Sequence, residues 1–348
     1  MVEESLAKQI QSLVHDAQRI VIVQADNPDA DSLGSALALE HILSDLGKDV
    51  ALYCGVNVPE YLRYMQGWDR VLSDLPHNFD MSFIVDASTY ILLEKLEMSG
   101  QFAWLKSKPC VVLDHHANVE KPLDFATIQI IDASVASAGE LVYNLSRTLD
   151  WKVNSDAAGH VMMSILGDTQ GLTNELTTAS TYRTMADLTD LGADRPGLEE
   201  LRRDYGRMVP KIYSYKAVLI KNTVFEADGR IASVALNQKE LNEYSPLYNP
   251  VPLIQPDMLQ VRDVCLSIVY KVYDDGRITG AIRTNHAYPV ADKLAKSMGG
   301  GGHPHASGFK VTDGRPFNEV KSECTSFATD LLNEIDKDKP DETVQYTY

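Results

Sequence analysis

The tripeptide Asp114-His115-His116 closes the apolar run Cys110-Val111-Val112-Leu113. An apolar run that stops at metal-competent side chains reads as a buried strand presenting them at its carboxyl end, where open α/β sheets collect ligands. Alone, an Asp-His pair in that position serves equally well as a structural hydrogen bond. Other segments end the same way, each in aspartate. Asp29 and Asp31 follow the strand-like run Arg19–Val23, Asp86 follows Met81–Val85, and Asp168 follows the helical stretch 157–166. Taken singly, each has a bland reading: an N-cap for Asp29 or Asp86, a helix terminator for Asp168. Jointly, Asp29, Asp31, Asp86, His115 and Asp168 would come to one sheet edge, which coincidence explains poorly.

Carboxylates with a minority of imidazoles and no thiolate favour a hard or borderline divalent cation, Mn²⁺ or Mg²⁺, over structural zinc. Carboxylate-rich clusters that hold two ions are a common solution for phosphoester hydrolysis, one ion acidifying a water while both clamp the phosphoryl oxygens. Such a cluster explains how an acidic protein could hold a phosphate. A second chemical signal lies at Gly299-Gly300-Gly301-Gly302-His303-Pro304-His305. Successive glycines let backbone N–H groups approach an anion, and the histidine adds a donor; a flexible linker is the alternative. Arg283 is a candidate phosphate clamp or simply a surface arginine. Tyr288 could stack a base or just pack.

Composition narrows the classes. The formal net charge of −17 argues against a surface that neutralises a long nucleic acid, and leaves room for a short or small anionic substrate. Cys54, Cys110, Cys265 and Cys324 are far apart and make no CxxC pair, which fits a reducing compartment rather than a disulfide framework. The N-terminal segment reads as an amphipathic helix without the features of a signal peptide, and no apolar run is long enough to span a bilayer. A cytoplasmic location without membrane partners is expected.

The elements that must position these residues alternate strand and helix up to about residue 192. That pattern implies right-handed βαβ units, hence an α/β domain with a mostly parallel sheet covered on both faces. A connecting helical region is expected over 193–222. From 223 to 336 short strands, with the hairpin turn Asp274-Asp275-Gly276-Arg277, predict a smaller α+β domain. The charged tail 337–348 reads as mobile.

Asn27-Pro28-Asp29-Ala30-Asp31-Ser32-Leu33-Gly34-Ser35, Asp86, Asp114-His115-His116, Asp168-Thr169 and Gly300-Gly301-Gly302-His303-Pro304 together resemble the ordered motifs of the DHH/DHHA1 phosphoesterase family, in its compact nanoRNase and pAp-phosphatase branch within the RecJ-like superfamily. The likeness runs from about residue 15 to 335. It implies a DHH metal-binding domain followed by a DHHA1 substrate-binding domain across a cleft, and hydrolysis of short oligoribonucleotides, linear dinucleotides or pAp. It further implies Asp29, Asp31, Asp86, His115 and Asp168 as manganese ligands, with Asp86 bridging. His116 would contact the scissile phosphate and Asp114 would orient its neighbours, while Arg283 and Gly300, Gly301, Gly302 and His303 would hold the distal nucleotide.

One position departs from that pattern. Small members of the family usually carry a histidine ligand where this chain has Ala25. Asp26, Gln24, water or a substrate oxygen would then complete the first metal's shell. The rival activities are a cyclic di-AMP phosphodiesterase and, from a different class, a nucleotide-binding sensor weakened in catalysis. Long single strands are not expected as substrates, for want of a basic, aromatic-studded stretch. Homodimerisation is left open.

Overall fold

The computed structural model describes residues 2–116 and 120–338. The tail expected to be mobile lies outside the described residues beyond 338. Two compact units divide the chain between Arg207 and Met208.

The first unit runs α1 (Glu4–Asp16), β1 (Arg19–Val23), α2 (Ala30–Asp45), β2 (Asp49–Tyr53), β3 (Val71–Leu72), β4 (Met81–Val85), α3 (Glu94–Met98), α4 (Phe102–Lys106), β5 (Cys110–Asp114), β6 (Ile128–Ile131), α5 (Ala138–Thr148), α6 (Ser155–Asp168), α7 (Ala179–Asp190) and α8 (Arg195–Tyr205). Its strands form one parallel sheet in the order β3-β2-β1-β4-β5-β6. Every residue of β4 and of β5 is buried, as continuous apolar runs require when both faces of a parallel sheet are covered. Ile20 and Ile22 join the core beneath α2, α5 and α6, whereas Val21 and Val23 join the opposite core with Phe102 and Leu105.

In this order, chain progress reverses between β1 and β4. A crevice opens at such a reversal beyond the carboxyl ends of the strands, because the loops leaving them diverge. Asp29 and Asp31 leave β1; Asp86 leaves β4. Across from them, α2 and α6 pack so closely that a Cβ on Gly34 would come within 2.8 Å of the His160 carbonyl oxygen, and one on Gly167 within 2.7 Å of Ala30 Cβ. Glycine at those positions lets the start of α2 and the end of α6 meet, which carries Asp31 and Asp168 to the same place.

The second unit holds α9 (Pro210–Asn222), β7 (Val224–Glu226), β8 (Ile231–Asn237), α10 (Gln238–Tyr244), α11 (Pro250–Leu259), β9 (Leu266–Val272), β10 (Ile278–Thr284), α12 (Ala291–Ser297), β11 (Gly301–His303), β12 (Ala306–Val311) and α13 (Phe317–Asp338). Its mixed sheet has the order β11-β12-β10-β9-β8-β7, parallel at β8–β9 and antiparallel elsewhere. One face packs on α12 and α13 through Ile268, Tyr270, Leu294 and Val320. On the other, α9 and α11 cover β8 and β9 through Leu219, Val234, Leu253 and Val269.

The helical stretch after residue 193 is two helices, α8 in the first unit and α9 in the second. Pro210 opens α9 at a position where its missing N–H costs nothing, and the chain breaks ahead of it. No described helix is long and apolar enough to cross a membrane.

Candidate metal centre

Asp31 sits in the first turn of α2 and is fully buried. Its carboxylate accepts from the N–H groups of Ala138 at 2.7 Å and Gly139 at 3.1 Å, and from the Ser164 hydroxyl at 2.6 Å. The N-terminus of α5 thus points its positive end at Asp31. Burial first, and then the charge of Asp168, nevertheless push the Asp31 pKa up, with His115 opposing them. Asp168 is the last residue of α6, where a carboxylate faces the negative end of the helix dipole and needs a cation to be comfortable there.

His115 draws these acids together. Its Nε2 lies 2.9 Å from Asp168 Oδ2, 3.4 Å from Asp31 Oδ2 and 3.8 Å from Asp86 Oδ1. Burial lowers the His115 pKa, but Asp168 and Asp31 outweigh it and raise the imidazole to about 8. Asp86 follows β4 at φ 56°, a left-handed conformation that costs a non-glycine residue roughly 1–3 kcal/mol and clusters at functional sites. Its pKa is driven well up by burial and then by the neighbouring carboxylates, Asp31 first among them.

Asp114 organises the strand end. Its Oδ1 accepts from the backbone N–H of His115 at 2.7 Å and of His116 at 3.1 Å, and lies 2.9 Å from His116 Nδ1. Burial pushes the Asp114 carboxyl up, but bonds from His116 and Ser88 prevail and hold it below its usual value. The bond to Asp114 is also the main reason the His116 pKa is raised. Half of the His116 side chain remains exposed, so its second nitrogen is open to a ligand.

Asp29 keeps its bland role as well as its place at the rim. It N-caps α2, accepting from the N–H groups of Asp31 and Ser32. It also feels the charges of Asp168 and His116.

Could these residues hold a cation? Ligand atoms of Asp31, His115 and Asp168, and those of Asp86, Asp114, His115 and His116, lie within 4.8 Å of one another in each group. Asp86 Oδ1 and Asp114 Oδ2 are buried with no hydrogen-bond partner. His115 Nε2, though near Asp168, lacks a well-directed hydrogen bond as well. A buried polar atom left unpartnered costs about 1–3 kcal/mol, and buried charges are normally paired or bound to metal. Orphaned atoms that converge from the ends of β4 and β5 and from α2 and α6 fit a divalent cation.

At the position of the missing histidine, Ala25 is buried in the core on the far face of the sheet. Asp26 turns toward Lys95, whose N–H donates to Asp26 Oδ2 at 2.7 Å. Gln24 is fully buried with both amide atoms unpartnered.

The residues singled out in the second unit stand as follows. Arg283 is exposed on β10, its Nη1 donating to the Ile282 carbonyl at 3.0 Å. The N–H of Gly300 is committed to the Ala295 carbonyl at 2.7 Å, closing α12. A Cβ there would lie 2.1 Å from the Gly308 carbonyl oxygen, so close packing against β12 explains that glycine. Gly301, Gly302 and His303 form β11 rather than an open loop, pairing with Gly308, Ser307 and Ala306. The side chain of His303 lies outside what the structure describes.

Ser164, Ser137 and the N–H groups of Ala138 and Gly139 escaped the sequence reading. Ser137 caps α5 and lies 2.8 Å from the Ser164 hydroxyl, so the polar set fixes α5 against α6 and both against Asp31. Only the small-residue run Ser134–Gly139 ahead of a helical pattern hinted at it.

Residues 19–165 match the model of the DHH family, N-terminal domain. The first unit carries a DHH domain. The Bacillus subtilis bifunctional oligoribonuclease and PAP phosphatase NrnA is 23% identical over 296 residues, covering 84% of this chain and 89% of that protein. An exopolyphosphatase-related protein from Bacteroides fragilis shares the fold with TM-score 0.81 at 21% identity, over 96% of this chain and 99% of that one. Exonuclease RecJ bound to manganese has TM-score 0.53 at 15% identity, over 95% and 96%. The DHH domain therefore contains all the acids and imidazoles that meet at the switch point except Asp168, which lies just beyond the matched stretch.

Proposed function

We propose that this chain is a metal-dependent phosphoesterase that removes nucleotide or phosphate from short oligoribonucleotides, linear dinucleotides or pAp. One observation carries the reading: Asp31, Asp86, Asp114, His115, His116 and Asp168 converge at the carboxyl edge of a parallel sheet with buried ligand atoms left unpartnered. The B. subtilis relative, named for oligoribonuclease and PAP phosphatase activity, supports the substrate class.

In this reading Asp29, Asp31, Asp86, His115 and Asp168 hold Mn²⁺, or Mg²⁺ in its place. The cation would supply Lewis acidity to the phosphoryl oxygens and a more acidic water. The chain's own residues do the rest. Asp114 fixes the His116 ring through Nδ1, leaving Nε2 to donate to a non-bridging phosphate oxygen. Ser164 and the start of α5 keep Asp31 ionised and aimed. Arg283, with the segment Gly300–His303, binds the substrate's remaining phosphate or nucleotide, and reaction in the cytoplasm fits the absence of a spanning helix among the described residues. The name of the relative bound to manganese favours that ion.

The deciding experiment incubates the protein with pAp, linear dinucleotides, cyclic di-AMP and a five-residue RNA in Mn²⁺ and follows each by chromatography. Consumption of pAp, linear dinucleotide or the pentamer, abolished by chelator, is the expected result. Cleavage of cyclic di-AMP alone would replace the reading with its cyclic-dinucleotide rival. Binding without turnover of any of them would make the protein a sensor.

A further inference from the structure

On the sheet of the second unit, side chains alternate between faces. Thr279, Ala281 and Arg283 of β10 share the face opposite Ile278 and Ile282, which enter the core. The antiparallel register places Lys271 of β9 and Lys310 of β12 on either side of Thr279, and Gly308 beside Ala281. Near β8, α11 covers this face; over β10 and β12 it is open. There a shallow groove of about 360 Å³ is lined by Lys271, Thr279, Ala281, Gly308 and Lys310, with Val251 of α11 as one wall and Gly299 and Gly300 as the other.

No acidic residue lines that groove. Among the described residues neither lysine makes an ion pair, in a chain whose Asp and Glu outnumber Lys and Arg by 49 to 32. Most described lysine and arginine neighbourhoods in such a chain acquire a carboxylate. Here two ammonium groups flank a floor of Thr, Ala and Gly, too small to fill the space. From Thr279 to Arg283 the strand advances about 13 Å at ~3.3 Å per residue, more than one nucleotide step along a single strand. Cations at both ends of a flat, narrow floor suit an extended phosphodiester backbone better than a compact mononucleotide.

We propose that Lys271 and Lys310 form a subsite for a further phosphate of a single-stranded oligoribonucleotide, beyond the one assigned to Arg283. The inference rests on the proposed function and gives it a length preference: chains of three or more nucleotides gain a contact that pAp and dinucleotides cannot reach. The phosphate is bound by two point charges and the Thr279 hydroxyl, so recognition is independent of base.

The test uses the full-length protein with metal chelated, so that binding is read without turnover. Fluorescence anisotropy of end-labelled five-residue RNA and of a labelled dinucleotide is compared for wild type, Lys271→Ala/Lys310→Ala and Lys271→Arg/Lys310→Arg. The alanine pair should weaken the pentamer about tenfold, leave the dinucleotide within about twofold, and flatten the salt dependence by roughly 1.4 log units per log unit of salt, at ~0.7 per lost phosphate contact. The arginine pair should restore the pentamer. Equal weakening of both lengths, or none, overturns the subsite. Lysine-dependent pentamer binding by a protein that hydrolyses nothing in Mn²⁺ would keep the subsite and discard the hydrolase; turnover of pentamer indifferent to the lysines would do the reverse.

Discussion

The two units handle charge in opposite ways. At the switch point of the DHH domain, Asp31, Asp86, Asp114 and Asp168 are crowded around His115, with pKa values of Asp31 and Asp86 driven up by burial and mutual repulsion. On the open sheet face of the second unit, Arg283, Lys271 and Lys310 stand without a carboxylate beside them. Net charge, −17 for the chain, describes neither place. The first region lacks a cation and the second lacks an anion, so each is unbalanced in a way that a ligand of the opposite sign corrects. A metal ion and a phosphorylated substrate are such a pair. Composition excludes a broad basic surface but says nothing about where the few uncompensated cations lie.

If the acidic rim is built for a cation, removing the residue most central to it should have the largest effect. Asp86→Asn retains size and removes charge from a buried, unpartnered oxygen. Loss of several kcal/mol of metal-derived transition-state stabilisation corresponds to about a thousandfold in turnover. The same variant should show higher stability than wild type when metal is chelated, since one repelling carboxylate is gone. Turnover within tenfold of wild type at saturating Mn²⁺ would remove the rim from the mechanism.

Next comes the packing that brings the rim together. Gly167→Ala would push a methyl group into Ala30 Cβ, and overpacking costs typically 1–3 kcal/mol. Because Ala30 and Gly167 each adjoin a site aspartate, the strain should separate Asp31 from Asp168. Expected is weaker Mn²⁺ binding by calorimetry together with a lower melting temperature; a stable protein with unchanged affinity would show that α2 and α6 yield without moving the acids. Ser164→Ala is milder. It deletes the 2.6 Å bond to Asp31, and loss of a bond that orients a ligand lowers metal affinity about 10–100-fold. Substrate KM at saturating metal should not move.

These variants also mark what the sequence revealed and what it hid. The strand ends were legible because Arg19–Val23, Met81–Val85 and Cys110–Leu113 are unbroken apolar runs that stop at Asp or Asn-Pro-Asp, and no competing period blurs them. The parallel order followed from alternation. Ser164 was not legible, since a serine in the apolar stretch Val161–Leu166 looks like any small helix-packing residue. Its partner Asp31 is far off in sequence. Helix α11 was hidden by its prolines: Pro250 and Pro252 fall in its first turn, where they do no harm, and Pro256 lies inside it. The glycine run suggested an anion-cradling loop, but Gly300 is needed chiefly because the Gly308 carbonyl leaves no room for a Cβ, and the following residues pair as a strand.

The cationic region offers a smaller lever. Arg283→Ala removes a guanidinium that no described carboxylate engages, so the fold should lose little. A charge-assisted bond is worth about 1.5–3 kcal/mol, which predicts roughly a tenfold or greater rise in KM for every substrate with kcat nearly unchanged. A fall in kcat with KM intact would place Arg283 with the reacting phosphate and blur the division between the two regions.

The least effect tests whether the unusual titration of the DHH domain is confined to its rim. His160 lies on α6 away from the acids, stacked on His41 with ring centroids 5.3 Å apart, its Nε2 2.9 Å from the Gln66 carbonyl oxygen. Burial, and then His41, lower its pKa to about 4, with Arg70 adding to the effect and Asp156 opposing it. A histidine whose folded pKa is depressed stabilises the fold fully above its unfolded pKa of about 6.5, and that contribution is lost as pH falls toward 4. The slope approaches 1.4 kcal/mol per pH unit at its steepest. The acids of the rim work in the other direction when metal is absent, because raised carboxylate pKa values favour the folded state as protons bind. Urea unfolding of chelated protein between pH 7 and 5 should therefore show opposing contributions, and His160→Gln should remove the destabilising one, leaving the variant relatively more stable at pH 5 than at pH 7. A difference between variant and wild type that does not change with pH would mean that His160 is not held neutral by its surroundings, and the rim would lose the reference against which its own titration is read.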